Sequence, residues 1–440
     1  MTSSRPDRRG IAGRVGRVAA TLVANGLIYP LSKLMPRRRD QWLFGHQDGA
    51  FAGNCKFLFL WLHLHRPDLR ATWVTSDPDV LRSLCQHGFA ACRKGGPSAI
   101  WRSLRSAVYC VCHGPEDVSL GLSGGALVVN LWHGVGLKSL RLGNPNSPAV
   151  LYGGPSANWL TRTLHLGPRL TPDVLVTPSD FMQHHFSSQF GLPEERCPIL
   201  GYPRLDGNLD PSLTRQLGEL PGSEPNALWP DGVAEVYAYL PTFRDTRREF
   251  LSDAIPDFDR LEAALEKRNA ILYLKPHRHT ALGAWKPSER IRLWPRGVDV
   301  DASLPHLSGL ITDYSSVHYD YIFHSAKGSI LYMFDEEEYT SSDRLLLYPL
   351  RENTAGWRAD NFDELVRLIE SGEALNAVDD VARVRAKFWG EAVGPASPRI
   401  VDHVEQLLGA KGPTSGGRGA GQLGSERTPE DAASSRAGQP

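Results

Sequence analysis

Short apolar runs recur along the chain at 41–44, 71–75, 107–111, 126–131, 174–177 and 198–200, and again at 236–239, 271–274, 310–312 and 329–332. Runs of this length, rich in β-branched residues and bounded by turn formers, read as buried strands. Between many of them the apolar spacing changes to three and four, which predicts helices over 54–65, 97–104, 179–190, 261–268 and 315–324. Alternation of this kind builds parallel sheets wrapped by helices. The rhythm breaks at 209–232, where four prolines and three glycines accumulate. That stretch reads as a linker between two Rossmann-like α/β domains, 40–208 and 233–410.

Both ends depart from the pattern. Ile11, Val15, Val18 and Leu22 form one face of a helix, with Arg14 and Arg17 off that face. Residues 1–40 carry nine cationic side chains against two acidic ones, or +7. The whole chain balances at 49 against 49, so the remainder carries −7. The uncharged stretch 18–32 is 15 residues long, short of the roughly 20 needed to span a bilayer. Residues 1–39 are therefore expected to lie as a basic amphipathic segment on an anionic membrane surface, making the protein peripheral at the cytoplasmic face. Residues 411–440, nearly devoid of large apolar side chains, are expected to be disordered.

Composition adds exclusions. At 41% hydrophobic and 22% charged over 440 residues, the chain is an ordinary globular one with enough apolar surface for a large core. Zero net charge argues against a nucleic-acid partner held by whole-surface charge. The six cysteines show no CxxC pair, which points to buried thiols in a reducing compartment rather than a disulfide framework.

Four polar clusters fall where expected strands end. In Asn130-Leu131-Trp132-His133-Gly134-Val135-Gly136-Leu137-Lys138 a strand runs straight into an imidazole. Gly134 and Gly136 let backbone approach a ligand, and His133 could take a proton from an attacking hydroxyl. In Thr312-Asp313-Tyr314-Ser315-Ser316 a strand, a polar turn and a helix start aim hydroxyls and backbone N–H groups at one point, suited to a diphosphate. Lys275-Pro276-His277-Arg278-His279 clusters cations at another strand end. Its two histidines are too few for a metal site, so no metal ligands are assigned and Mg²⁺ stays open. Arg244, before Asp245, and Arg204, before Asp206, either hold phosphate or brace the cleft as Arg–Asp pairs. The acidic run 335–338 reads as a solvated turn.

In this order the motifs resemble the CDP-glycerol glycerophosphotransferase family, the teichoic-acid and capsule polymerases. The matching pieces are Trp132-His133-Gly134 with Lys138, Thr177-Pro178-Ser179, Gly201-Tyr202-Pro203-Arg204, Pro241 to Asp245, and Thr312 to Ser316 running into Asp320-Tyr321. Asn54-Cys55-Lys56 and the stretch from Phe334-Asp335 to Tyr339 match the family's start and its late acidic turn, so the resemblance covers roughly 40–372. It implies a GT-B fold with a cleft between two domains, a CDP-glycerol or CDP-ribitol donor, and a lipid-linked or polymeric alditol-phosphate acceptor. CMP leaves. It makes His133 the base and His277 the second histidine near the donor phosphates. Ser315 and Ser316, with Thr312, Arg244 and Lys275, would hold the diphosphate. Gly134, Lys138, Ser179, Arg204 and Asp313 would line the cleft. The chain departs from the family pattern at Val135-Gly136, where Thr-Pro is common, and in placing Pro276 before His277 rather than after it. Two rival readings share these features: a GT-B glycosyltransferase using a nucleotide sugar for an envelope glycan, and a non-catalytic membrane-bound scaffold.

Overall fold

The structure, a computed structural model, describes residues 23–136, 139–140, 171–220, 228–242, 244, 249–276, 280, 285–342, 347–390 and 395–410. The basic stretch 1–22 and the tail 411–440 lie outside them. Two six-stranded sheets form the frame, and every strand pairing in both is parallel. The first sheet comprises β1 (Arg38–Gly45), β2 (Arg70–Thr75), β3 (Ala91–Arg93), β4 (Ser106–Val111), β5 (Leu127–Asn130) and β6 (Val174–Leu175), in the order β3-β2-β1-β4-β5-β6. The second comprises β7 (Glu235–Tyr239), β8 (Ala270–Leu274), β9 (Ile291–Leu293), β10 (Gly309–Thr312), β11 (Ser329–Tyr332) and β12 (Gly356–Ala359), in the order β12-β11-β10-β7-β8-β9. Counted from each domain's own first strand, the two orders are the same Rossmann arrangement. Each sheet reverses direction of growth beside its first strand, and the crevice there is where such folds bind ligands.

Burial on both faces explains why the central strands read as continuous apolar runs. All six residues of β4 and all five of β8 are buried. The three strands that the pattern does not announce, β3, β9 and β12, are edge strands of three or four residues. The expected strand at 198–200 is only an isolated bridge from Thr177 to Ile199, since Pro198 brings no N–H to a ladder. All six cysteines are free, and five are buried.

Seven helices position the site: α1 (Gly53–His65), α2 (Pro97–Arg105), α3 (Asp180–Phe190), α4 (Pro211–Gly218), α5 (Val317–His324), α6 (Asp380–Trp389) and α7 (Ala396–Ala410). The Pro- and Gly-rich break at 209–232 contains α4, whose buried Leu213 and Leu217 join the core alongside α1. The C-terminal helix, expected within the second domain, returns to the first. Asp206 accepts the Ala396 and Ser397 N–H groups at 2.7 Å each, capping α7, and Arg66 beside α1 pairs with Glu405 at 2.7 Å. One apolar core therefore runs through both domains, from Trp42 and Val129 to Leu310 and Val404.

Candidate active site

The turn after β5 forms the first half of the site. Asn130 Oδ1 accepts the Trp132 N–H at 2.8 Å, and Asn130 Nδ2 donates to the His113 carbonyl at 3.0 Å. From the start of α1, Asn54 Nδ2 donates to the Leu131 and Trp132 carbonyls at 2.9 and 3.0 Å. These bonds hold Trp132 at φ 56°, a left-handed conformation that costs a non-glycine residue roughly 1–3 kcal/mol. His133 follows with its ring open to solvent and its Nδ1 3.1 Å from the Cys112 carbonyl. A carbonyl only accepts, so Nδ1 carries the proton and Nε2 keeps its lone pair. Desolvation on the inner side of the ring, helped by the charges of His113, Arg204 and His46, pushes the His133 pKa down to about 3. The imidazole is neutral at neutral pH, the form a general base requires.

The start of α5 supplies the second half. Among the described residues Ser316 makes no side-chain capping hydrogen bond, and Ser315 Oγ takes only the Val317 N–H, at 3.4 Å. Both hydroxyls are half-buried and stand at the positive end of the helix. The halves meet closely: a Cβ on Gly134, at φ 154°, would lie 3.2 Å from Ser316 Oγ. Lys275 leaves the end of β8 exposed, with Nζ 5.8 Å from the Trp294 ring centroid. Surrounding protein lowers its pKa against the pull of Asp299.

Arg204 ties the halves together. Its Nη1 donates to the His133 carbonyl at 2.9 Å and its Nη2 pairs with Asp320 of α5 at 2.5 Å, both side chains being buried. Burial raises the Asp320 pKa to about 7 despite that partner. Of the two roles open to Arg204, the structure shows the brace. A second buried pair, Lys56 with Asp299 at 2.5 Å, joins the domains nearby.

Four expected site residues sit elsewhere in the architecture. Arg244 is buried, pairs with Asp313 at 2.6 Å and Asp335 at 2.9 Å, and donates to the Thr242 carbonyl. Its fork is spent on this brace and is not offered to a phosphate. Asp313 also accepts the Thr242 N–H at 2.9 Å, and Thr312 Oγ1 donates to the Leu240 carbonyl at 2.8 Å, so both clamp β10 to the strand beside it. Ser179 caps α3 and donates to the Lys387 carbonyl at 3.0 Å. The run at 335–338 is not simply a solvated turn, because Asp335 is buried against Arg244. Lys138 and His277 lie outside the described residues.

The structure also brings up residues that the sequence reading passed over. His46 after β1 and His113 after β4 stand beside His133, and Asp117 lies below His113. The signal was present, since His113-Gly114 follows a strand as His133-Gly134 does. Gly136 has its own reason. A Cβ there would stand 2.7 Å from His185 Nε2, while His185 Nδ1 is held 2.8 Å from the Tyr348 hydroxyl. A Gly136→Ala variant is expected to lose about 1–3 kcal/mol through overpacking. Thermal melts should show this, with recovery when His185→Ser is added.

Two Rossmann-type sheets, with the His133 imidazole on one side and the Ser315–Ser316 helix start on the other, give the GT-B arrangement that the sequence pattern implies. The family model for CDP-glycerol:poly(glycerophosphate) glycerophosphotransferases matches residues 27–406, and the chain belongs to that family. It is 24% identical over 299 residues to the teichoic acid ribitol-phosphate primase of Bacillus spizizenii, covering 64% of this chain and 70% of the primase. It is 25% identical over 285 residues to the ribitol-phosphate polymerase TarK of Staphylococcus aureus. It is 23% identical over 276 residues to the poly(glycerol phosphate) polymerase of Staphylococcus epidermidis. The matches cover 62% of this chain in each case, but only 51% and 37% of those two polymerases. The solved structure of the wall teichoic acid polymerase TagF superposes with a TM-score of 0.68 at 19% identity, over 92% of this chain and 97% of that one. The fold is shared, and the activity of the family is alditol-phosphate transfer from a CDP-alditol.

Proposed function

We propose that the chain transfers glycerol phosphate or ribitol phosphate from the matching CDP-alditol to a hydroxyl of a lipid-linked or polymeric alditol-phosphate acceptor. The observation that carries this reading is the contact of the His133–Gly134 turn with the Ser315–Ser316 helix start, which sets a neutral imidazole against an anion site. Nε2 of His133 takes the acceptor's hydroxyl proton, and the oxygen bonds to the phosphorus that carries the alditol. The bond from that phosphorus to the bridging oxygen breaks, and CMP leaves with the electron pair. Such transfer depends mainly on positioning and charge stabilisation, which the α5 start, Lys275 and, by family resemblance, His277 supply. Lys138 stays with the acceptor side on the same ground. Replacing Ser315 and Ser316 together by alanine should weaken CDP-alditol binding by roughly 10- to 100-fold, the loss of one or two hydrogen bonds to a charged group. An unchanged Kd in calorimetry would remove these hydroxyls from the donor site. A nucleotide sugar bound more tightly than any CDP-alditol would favour the glycosyltransferase alternative.

The same reading places the protein on the cytoplasmic face of an anionic membrane. Supporting it, the helical stretch that follows the basic segment exposes Val23, Leu27, Leu31 and Leu34, and Ile100 and Trp101 are exposed on α2 with Arg105 against the indole. Arg37 links the two by donating to the Ser32 and Ser106 carbonyls. Among the described residues no helix is long and apolar enough to cross a membrane. Removing residues 1–22 and replacing Leu27, Leu31 and Leu34 by serine should release the protein from anionic vesicles in a flotation assay. Unchanged flotation would contradict a membrane role for this segment.

A further inference from the structure

The base has a close neighbour that the reaction scheme does not use. The His113 and His133 rings are stacked, with centroids 4.4 Å apart and planes 17° from parallel. His46 meets His113 edge-on at 5.1 Å. Behind His113 sits Asp117, buried, with one carboxylate oxygen 3.6 Å from Nδ1. That same oxygen accepts the backbone N–H groups of Cys112 and His113 at 3.0 and 2.9 Å, so the carboxylate is fixed in place. Cys112 is in turn the residue whose carbonyl sets the tautomer of His133. His113 Nδ1 itself is buried without a hydrogen-bond partner among the described residues.

We propose that His113, oriented by Asp117, is a positioning residue for the base: its stacked ring holds the His133 imidazole in the cleft, and the two rings carry one proton between them at most. Two imidazolium ions stacked face to face repel strongly. Of the two rings, His113 is the one that stands beside a carboxylate, where a positive charge is stabilised. The other groups facing the pair are His46 from the end of β1, Arg204 behind the His133 carbonyl, and Glu116, whose backbone carbonyl is held by Lys94. Arg204 and His46 oppose a charge on His133, as His113 does. Asp117 and Glu116 are the acidic groups that favour a charge on His113.

The consequence is a specific pH behaviour, resting on the assignment of His133 as the base. With His113 uncharged, Nε2 of His133 accepts the hydroxyl proton and the neutral ring face beneath it supports the imidazolium. Once His113 is protonated, His133 becomes a poorer base and turnover falls. The experiment is the pH dependence of kcat/KM for CMP release, measured on the full chain and on His113→Phe, His113→Ala and Asp117→Asn. Phenylalanine keeps the stacking face but cannot take a proton. His113→Phe should therefore stay within a few-fold of wild type at alkaline pH and lose the acid limb. His113→Ala should lose turnover tenfold or more at every pH. Asp117→Asn can still accept both backbone N–H groups, and it should move the acid limb to lower pH. An acid limb unchanged in His113→Phe would overturn the proposal. Imidazole carbon–proton NMR on the same proteins tests the coupling without turnover. The His133 resonance should shift as His113 titrates in wild type but not in His113→Phe. No such shift in wild type would sink the coupling itself, whereas coupling without CMP release from any donor would sink only the reading of the reaction.

Discussion

A His133→Ala variant is expected to release CMP from a CDP-alditol roughly 10²- to 10⁴-fold more slowly than the wild type, the usual contribution of a positioned general base. Its affinity for the donor should barely change. In the proposed reaction the base acts on the acceptor proton in the transition state, while the α5 start and Lys275 hold the donor. The side chain is open to solvent and makes one described hydrogen bond, to the Cys112 carbonyl, so its removal leaves the two sheets and their core untouched. Stopped assays of CMP release alongside calorimetric donor binding check both halves of the expectation. Near-wild-type turnover would falsify the assignment of the base. Loss of turnover together with loss of donor binding would mean that the turn had collapsed, and His133→Asn would then be the variant to compare.

Arg244→Ala is expected to have the largest effect on stability. The guanidinium bridges Asp313 and Asp335 and is enclosed by Phe250, Tyr339 and Tyr314, with ring centroids 4.6, 5.1 and 5.3 Å away. Removing it leaves two buried carboxylates without their cation, which typically costs about 3–5 kcal/mol. That is a large share of the stability of an ordinary domain. A fall in melting temperature of roughly 10 °C follows for a domain of this size. Calorimetric melts would detect it, and Arg244→Lys, which keeps the charge but loses the fork, should fall between the two. An unchanged melting temperature with weakened donor binding would return Arg244 to the phosphate site.

The contrast between His133 and Arg244 shows which placements local order in the chain conveys and which it does not. His133 is legible because a buried strand, an imidazole and a glycine are adjacent in the chain, and local order alone places the ring at a sheet's rim. Ser315 and Ser316 are legible for the same reason. Arg244 and Asp335 are 91 residues apart, and only the parallel pairing of β7, β10 and β11 brings them together. A motif in which arginine and aspartate follow a strand therefore reads equally well as a ligand site or a brace. The His113–His133 stack depends on the register that sets Val111 beside Asn130, again a tertiary fact. Most of the fold could be read because nine of the ten apolar runs, set off by recognisable turns, are strands. The edge strands β3, β9 and β12 could not, since three or four residues buried on few sides leave little pattern. The return of α7 to the first domain was equally hidden, because its anchor is Asp206, 190 residues away.

CMP release from CDP-glycerol and CDP-ribitol by the purified full chain decides whether the protein is an alditol-phosphate transferase. The assay needs a lipid-linked or oligomeric alditol-phosphate acceptor, and a panel of UDP- and GDP-sugars runs in parallel. Acceptor-dependent CMP from at least one CDP-alditol, lost in His133→Ala, is the expected result. Turnover of a nucleotide sugar with none from either CDP-alditol would contradict it.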